Sequence, residues 1–250
     1  MLAGIDGLRD LTLTTNGSRL REMAPALRAA GLHRVTVSLD SLDHATFRAM
    51  NDADFPVSLV LDGIEAAREA GFSPVKINVV VKRGVNEDGL VDIAKRFRGP
   101  DYIVRFIEYM DVGSTNGWRL DDVVPAAEII GRIAREMPLK PAKPAYRGEV
   151  ARRYVYEDGS GEIGVIASVT QPFCGDCTRA RLSADGKLYT CLFAFRGHDF
   201  RSLLRAGKSD DEAADFLRGL WSKRDDRYSE LRTADTSGLR QKVEMSYIGG

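Results

Sequence analysis

Two hydrophobic periods alternate through the first 110 positions of the chain. Apolar residues at a spacing of two predict strands over Leu11 to Thr14, Val35 to Leu39, Val75 to Val81 and Tyr102 to Ile107. Between them, Arg19 to Ala30, Val57 to Ala70 and Asp88 to Phe97 repeat at three and four, which predicts helices. Gly31 and Gly71 follow the first two helices where a glycine C-cap is expected. Strands alternating with helices imply a parallel sheet joined by right-handed crossovers. Within each strand, however, only one face is apolar. Leu11 and Leu13 oppose Thr12, Thr14 and Asn16; Val35, Val37 and Leu39 oppose Thr36, Ser38 and Asp40; Val75, Ile77 and Val79 oppose Lys76 and Asn78. A strand covered by helices on both sides is apolar on both. The pattern therefore fits an open or partial α/β barrel whose polar residues line a cavity for a polar ligand. Its alternative is a half-exposed sheet with a solvated face. Thr14, Asn16, Ser38 and Asp40 fall at or just past the carboxyl ends of their strands, where such barrels carry their sites. The cavity requires Ser38 and Lys76 to share a face.

After Met110 the pattern changes. Asp111 to Gly117 reads as a polar loop, Ala126 to Glu136 as a helix, and Pro138 to Pro144 as a linker with three prolines. Arg152 to Tyr156 and Glu162 to Ile166 predict a hairpin around Asp158-Gly159-Ser160-Gly161. Helices are expected over Asp199 to Ala206 and Asp210 to Trp221, and a domain boundary near residue 140.

Charge narrows the partners. Lysine plus arginine and aspartate plus glutamate are each 36 in 250 residues, so no overall field draws the chain to nucleic acid or an acidic membrane, and any anion binding is local. No apolar run approaches the roughly 20 residues of a membrane helix. Neither a dinucleotide glycine fingerprint nor a phosphate-loop motif is present.

The candidate chemistry sits in the only three cysteines, Cys174, Cys177 and Cys191, spaced C-x2-C-x13-C with Arg179 and Arg181 between the last two. Such a loop brings two sulfurs to one centre while a returning strand delivers another. An iron–sulfur cluster usually takes four cysteines, so three would leave one iron open, and the arginines favour an anionic ligand there. The alternative is a structural zinc site closed by His198. An odd cysteine count without a signal peptide points to reduced thiols in the cytoplasm. His33 and His44 lie outside any metal-like spacing.

Five segments add a resemblance. They are Leu13-Thr14-Thr15-Asn16-Gly17, Val37-Ser38-Leu39-Asp40-Ser41-Leu42, Lys76-Ile77-Asn78-Val79-Val80, Arg105-Phe106-Ile107-Glu108-Tyr109-Met110-Asp111-Val112-Gly113 and Phe173-Cys174-Gly175-Asp176-Cys177-Thr178-Arg179-Ala180-Arg181-Leu182. Together with the terminal Gly249-Gly250 they resemble the radical S-adenosylmethionine GTP cyclases that open molybdenum cofactor biosynthesis, in order and over nearly the whole chain. The resemblance implies an incomplete TIM-type radical-SAM α/β barrel lacking its first strands over residues 1–140. It implies a C-terminal region over 141–250 that holds a 4Fe-4S cluster and GTP. By that likeness Cys174, Cys177 and Cys191 bind the substrate-side cluster, and Arg179, Ala180 and Arg181 hold GTP. Lys76 reaches its phosphates and Thr14 also contacts it, Ser38 and Met110 contact S-adenosylmethionine, and the Gly249-Gly250 tail enters the active site. The implied reaction cleaves S-adenosylmethionine to a deoxyadenosyl radical, which takes a ribose hydrogen before the ribose carbon bonds to guanine C8. The implied partners are the next enzyme of the pathway, cyclic pyranopterin monophosphate synthase, and a second copy in a homodimer.

The chain departs from the family in two places. It has no C-x3-C-x2-C motif for the radical-generating cluster and no glycine-rich segment after a second family strand. Roughly the first third of a family member is therefore expected to be missing, through a misplaced start, a disrupted gene or a partner that supplies the rest. A chain so built binds a cluster and GTP without making the radical by itself.

Overall fold

In the computed structural model, which describes residues 1–51, 54–113, 116–232 and 243–248, the chain divides into two compact units. One is Met1–Tyr109 with Asp121–Thr170; the other is Met110–Leu120 with Gln171–Gly250.

In the first unit the period-two runs become β1 (Thr12–Thr15), β2 (Arg34–Ser38), β3 (Val75–Val81) and β4 (Tyr102–Glu108). The period-3.6 runs become α1 (Leu20–Ala29), α3 (Val57–Glu69) and α4 (Leu90–Arg96), with α2 (His44–Met50) between β2 and α3. Asp43 caps α2 by accepting the Thr46 N–H at 2.8 Å, a start signal that the polar Asp43-His44 pair concealed. Then come α5 (Ala126–Ala134), β5 (Leu139–Pro141), β6 (Arg152–Tyr156) and β7 (Glu162–Ile166). The sheet order is β1-β2-β3-β4-β7-β6-β5; neighbours from β1 through β7 run parallel, and β6 and β5 close the row antiparallel. It is an open, mainly parallel sheet. A cut at residue 140 passes through β5. The hairpin that follows completes this same sheet, because Glu162 to Ile166 pairs with Ile103 to Ile107, so the compact units part elsewhere.

Register settles the parity argument. Leu13, Val35, Val37, Ile77, Val79, Val104, Phe106 and Ile163 form one face, packed under Leu20 and Ala24 of α1, Val60 and Ile64 of α3, Ile93 of α4 and Ile129 of α5. Burying each such side chain contributes about 1.5–3 kcal/mol. Gly17 closes the turn into α1 at φ +77°, and a Cβ there would stand 2.9 Å from Val37 Cγ1 and 3.0 Å from Val60 Cγ1. Glycine alone fits both the backbone and the gap. At the carboxyl end of β4, Glu108 is fully buried. Its carboxylate accepts the N–H groups of Ala126, Val169 and Thr170 at 2.8, 2.7 and 2.8 Å and the Thr170 hydroxyl.

The second unit holds a small antiparallel sheet of β8 (Arg181–Leu182), β9 (Lys187–Tyr189) and β10 (His198–Asp199), then α6 (Phe200–Arg205), α7 (Asp210–Ser222) and α8 (Tyr228–Leu231). Ser209 and Glu212 form a reciprocal capping box at the start of α7. Asp111 anchors the 110–120 segment to the C-terminal part of this unit. It accepts the Tyr228 hydroxyl at 2.5 Å and pairs with Arg232 at 2.8 Å, both charged side chains being 3% exposed. The Arg232 guanidinium lies within 6 Å of the Trp118, Phe193 and Tyr228 rings.

Candidate functional site

The first unit contributes the polar face of its sheet. Thr14 sits beside Thr36 and Thr36 beside Lys76; one step along, Ser38 sits beside Asn78 and Asn78 beside Arg105. Ser38 and Lys76 therefore share a face, as the cavity reading requires. Arg105 donates to Asn78 Oδ1 at 2.9 Å and to Thr36 Oγ1 at 3.4 Å. Burial, reinforced by the charges of Arg105 and Arg34, pushes Lys76 down to about 8. Among the described residues neither Lys76 nor Arg105 has a carboxylate within ion-pair distance. Both line a cavity of about 30 Å³ together with Tyr146, Glu149, Arg153 and Glu162. Two half-buried cations without ion-pair partners suit a polyanion such as a phosphate chain. Two expected lining residues are engaged otherwise. Asn16 Oδ1 accepts the Ser18 N–H at 3.2 Å and hydroxyl at 2.9 Å, and Asp40 accepts the Val80 N–H at 2.8 Å. Burial raises Asp40 to about 6. Both act as struts of the strand ends.

In the second unit the three cysteines are half-buried free thiols. Cys174 and Cys177 bracket a single 3-10 turn, Cys174–Asp176, closed by the Cys177 N–H on the Cys174 carbonyl at 3.2 Å; Cys191 lies two residues past β9. Arg179 donates to Cys177 Sγ from Nε at 3.3 Å and Nη2 at 3.1 Å while its guanidinium stacks 5.1 Å from the Phe173 ring. Burial raises the Cys177 thiol, but the Arg179 backbone N–H and the guanidiniums of Arg224 and Arg179 outweigh it and hold the thiol below its usual value. Cys191 Sγ accepts the Phe193 N–H at 3.4 Å; burial, then the charges of Asp226, Cys174 and Cys177, pushes that thiol up. Arg181, half-buried in β8, has no carboxylate partner among the described residues, and Ala180 between the arginines is exposed.

Three reduced thiols are donors of the kind an iron–sulfur cluster takes. Among the described residues no three His, Cys, Asp or Glu side chains are gathered so as to hold one metal ion, and His198 is exposed in β10. In a cluster each thiolate binds its own iron, so the sulfurs stand farther apart than the ligands of one ion. Two of the sulfurs receive N–H donors, as cluster thiolates do, Cys177 from Arg179 and Cys191 from the Phe193 backbone. Met110, half-buried, opens the second unit, and its carbonyl accepts the Asn116 side chain at 3.0 Å. Gly249 and Gly250 lie outside the described residues. Sequence reasoning passed over Arg105, Glu108 and Arg224; the parity of β4 could have marked Arg105, the apolar neighbours Ile107 and Tyr109 could have marked Glu108, and nothing local distinguishes Arg224.

A mainly parallel α/β sheet with a cationic polar face, in a chain that also carries three reduced thiols with arginines beside them, is the frame of an α/β enzyme. The family model of the radical SAM superfamily matches residues 1–97, and that of molybdenum cofactor synthesis C matches residues 102–230. A GTP 3',8-cyclase of Acidothermus cellulolyticus is 53% identical, with all of this chain and 76% of the relative covered. That of Xanthomonas campestris pv. campestris is also 53% identical, covering all of this chain and 73% of the relative. That of Staphylococcus saprophyticus is 44% identical, covering 98% and 73%. The chain belongs to the GTP 3',8-cyclase family of radical SAM enzymes, as the motifs indicated. No helix among the described residues is long and apolar enough to cross a membrane.

Proposed function

We propose that the chain acts as a GTP 3',8-cyclase of molybdenum cofactor biosynthesis, joining the 3' carbon of the GTP ribose to guanine C8 at the expense of S-adenosylmethionine. The observation that carries this is the trio of reduced thiols with Arg179 and Arg181 beside them, in a chain that matches the cyclases along its whole length. Cys174, Cys177 and Cys191 would hold a 4Fe-4S cluster, whose open iron offers a Lewis-acid point for the guanine base. Arg181 and Arg179, with Ala180 leaving room between them, bind the nucleotide. Lys76 neutralises the phosphate chain and Thr14 adds a hydroxyl on the same sheet face. Ser38 and Met110 contact S-adenosylmethionine, and the Gly249-Gly250 tail lets backbone approach the reacting nucleotide closely. Such residues fix reacting atoms and exclude water, which is how proteins serve radical cofactors. The product passes to cyclic pyranopterin monophosphate synthase, and a homodimer in the cytoplasm is the proposed setting.

One observation favours a narrower role beside this. Three cysteines ligate one cluster, so the ligands of the radical-generating cluster are not in this chain. By itself it then binds the cluster and GTP without turnover. Iron, sulfide and zinc analysis of the anaerobically purified chain, with a GTP titration of its visible band, tests the binding; a cyclisation assay tests turnover. About four irons per chain and a GTP-perturbed band near ~400 nm are expected. One zinc, no iron and no response to GTP would overturn the reading.

A further inference from the structure

The stretch after α7, Lys223-Arg224-Asp225-Asp226-Arg227, reads in sequence as a solvated charge run, yet one residue turns inward. The Arg224 side chain is only 11% exposed. Its Nη1 donates to the backbone carbonyl of Cys177, its Nε pairs with Asp226 Oδ2 at 3.0 Å, and its guanidinium lies 4.9 Å from the Trp221 ring. Its charge is felt at the Cys177 thiol, to which Arg179 donates directly. α8, just beyond, packs on the Cys174–Asp176 turn. A buried guanidinium needs acceptors for its forked donors; here they are one carboxylate and the carbonyl of a thiolate loop. Outer residues that bond a ligand's backbone or sulfur hold the ligand in place, and a positive charge there favours the more negative, reduced cluster.

We propose that Arg224 is the positioning residue of the cysteine loop, fixing the Cys177 backbone while its charge raises the reduction potential of the cluster bound there. This rests on the iron–sulfur reading of the three cysteines. The test reconstitutes the full chain anaerobically with iron and sulfide as the unaltered protein, Arg224→Lys, Arg224→Gln and Asp226→Asn. It follows iron retention against a chelator and the potential of the visible band. Arg224→Gln is expected to hold iron roughly 10- to 100-fold more weakly, the range for residues that orient metal ligands, and to lower the potential. Arg224→Lys restores most of the potential but not the retention, because it keeps the charge and loses the fork. Asp226→Asn raises the potential by removing the countercharge. An Arg224→Gln protein with unaltered retention and potential overturns the role. Should that variant fail to fold, an unmoved potential in Asp226→Asn together with unaltered retention in Arg224→Lys overturns it equally. An unaltered chain that takes up no iron brings down the cluster reading itself.

Discussion

Replacing Glu108 by glutamine tests whether one buried carboxylate organises the end of β4. Oε1 accepts the Ala126 N–H and the Thr170 hydroxyl; Oε2 accepts the Val169 and Thr170 N–H groups. An amide of the same shape must aim its NH₂ at one of these pairs. Placed at Oε2 it confronts two backbone N–H groups. Placed at Oε1 it confronts the Ala126 N–H, while the Thr170 hydroxyl turns round and accepts. The second arrangement is cheaper, leaving one buried donor orphaned at about 1–3 kcal/mol and two charge-assisted bonds reduced to neutral ones, for a total of roughly 2–4 kcal/mol. Loss of the negative charge at the first N–H of α5 adds to this. For a chain of this size the melting temperature falls by roughly 5–15 °C. Glu108→Ala leaves all the donors without their acceptor and falls further, moderated because Thr170 is exposed and its N–H recruits water. Thr170→Val removes one hydroxyl bond and costs about 1 kcal/mol. Scanning calorimetry on the four proteins decides. A Glu108→Gln protein within ~0.5 kcal/mol of the unaltered one would refute the reasoning, as would equal losses for glutamine and alanine.

Lys76, held near 8 against an ordinary 10.5, is charged at a cost in the folded state. The unfolded chain binds more protons between those values, so stability rises with pH from about 8 to 10.5; Lys76→Met should abolish that slope in pH-dependent melting. The same variant should bind GTP roughly tenfold more weakly below pH 8, and the unaltered chain should lose affinity above pH 8, read by calorimetric titration. Asp40 has the opposite sign. Its folded value of about 6 lies above 3.8, the folded chain binds the extra proton, and stability falls as pH rises from about 4 to 6. Asp40→Asn keeps an acceptor for the Val80 N–H and should flatten that interval; an unchanged slope assigns it elsewhere. Gly17→Ala, with φ at +77° and Val37 in the way, should cost roughly 2 kcal/mol in urea unfolding. Gly89→Ala, where nothing lies within 4 Å of the added carbon, should cost little.

What the sequence disclosed and what it hid divide along the range of the interactions. Alternation is local, so β3 and the hairpin of β6 and β7 fall on the residues that periodicity marks, and the sharing of one face by Thr14, Ser38 and Lys76 follows from parity once the strands pair in parallel. Parity also over-reaches at strand ends: Asn16 and Asp40 have the right alternation, but a turn and a neighbouring strand claim their oxygens. The compact units part away from residue 140 for a related reason. Prolines signal a break in regular structure, not in packing, and β7 returns to pair with β4 across more than fifty residues of chain. The buried charges are the extreme case. Glu108 closes an apolar strand and Arg224 sits in a charge run, and their partners, residues 126, 169 and 170 for one and Cys177 for the other, are distant in sequence. A cysteine spacing announces a metal centre because a metal demands particular atoms at short range. The residues that hold such a loop in place carry no comparable signature, since a cation can come to its carbonyl from anywhere in the sequence. The same freedom makes Arg224→Lys against Arg224→Gln informative: it separates the charge, which many residues could supply, from the fork, which only arginine can.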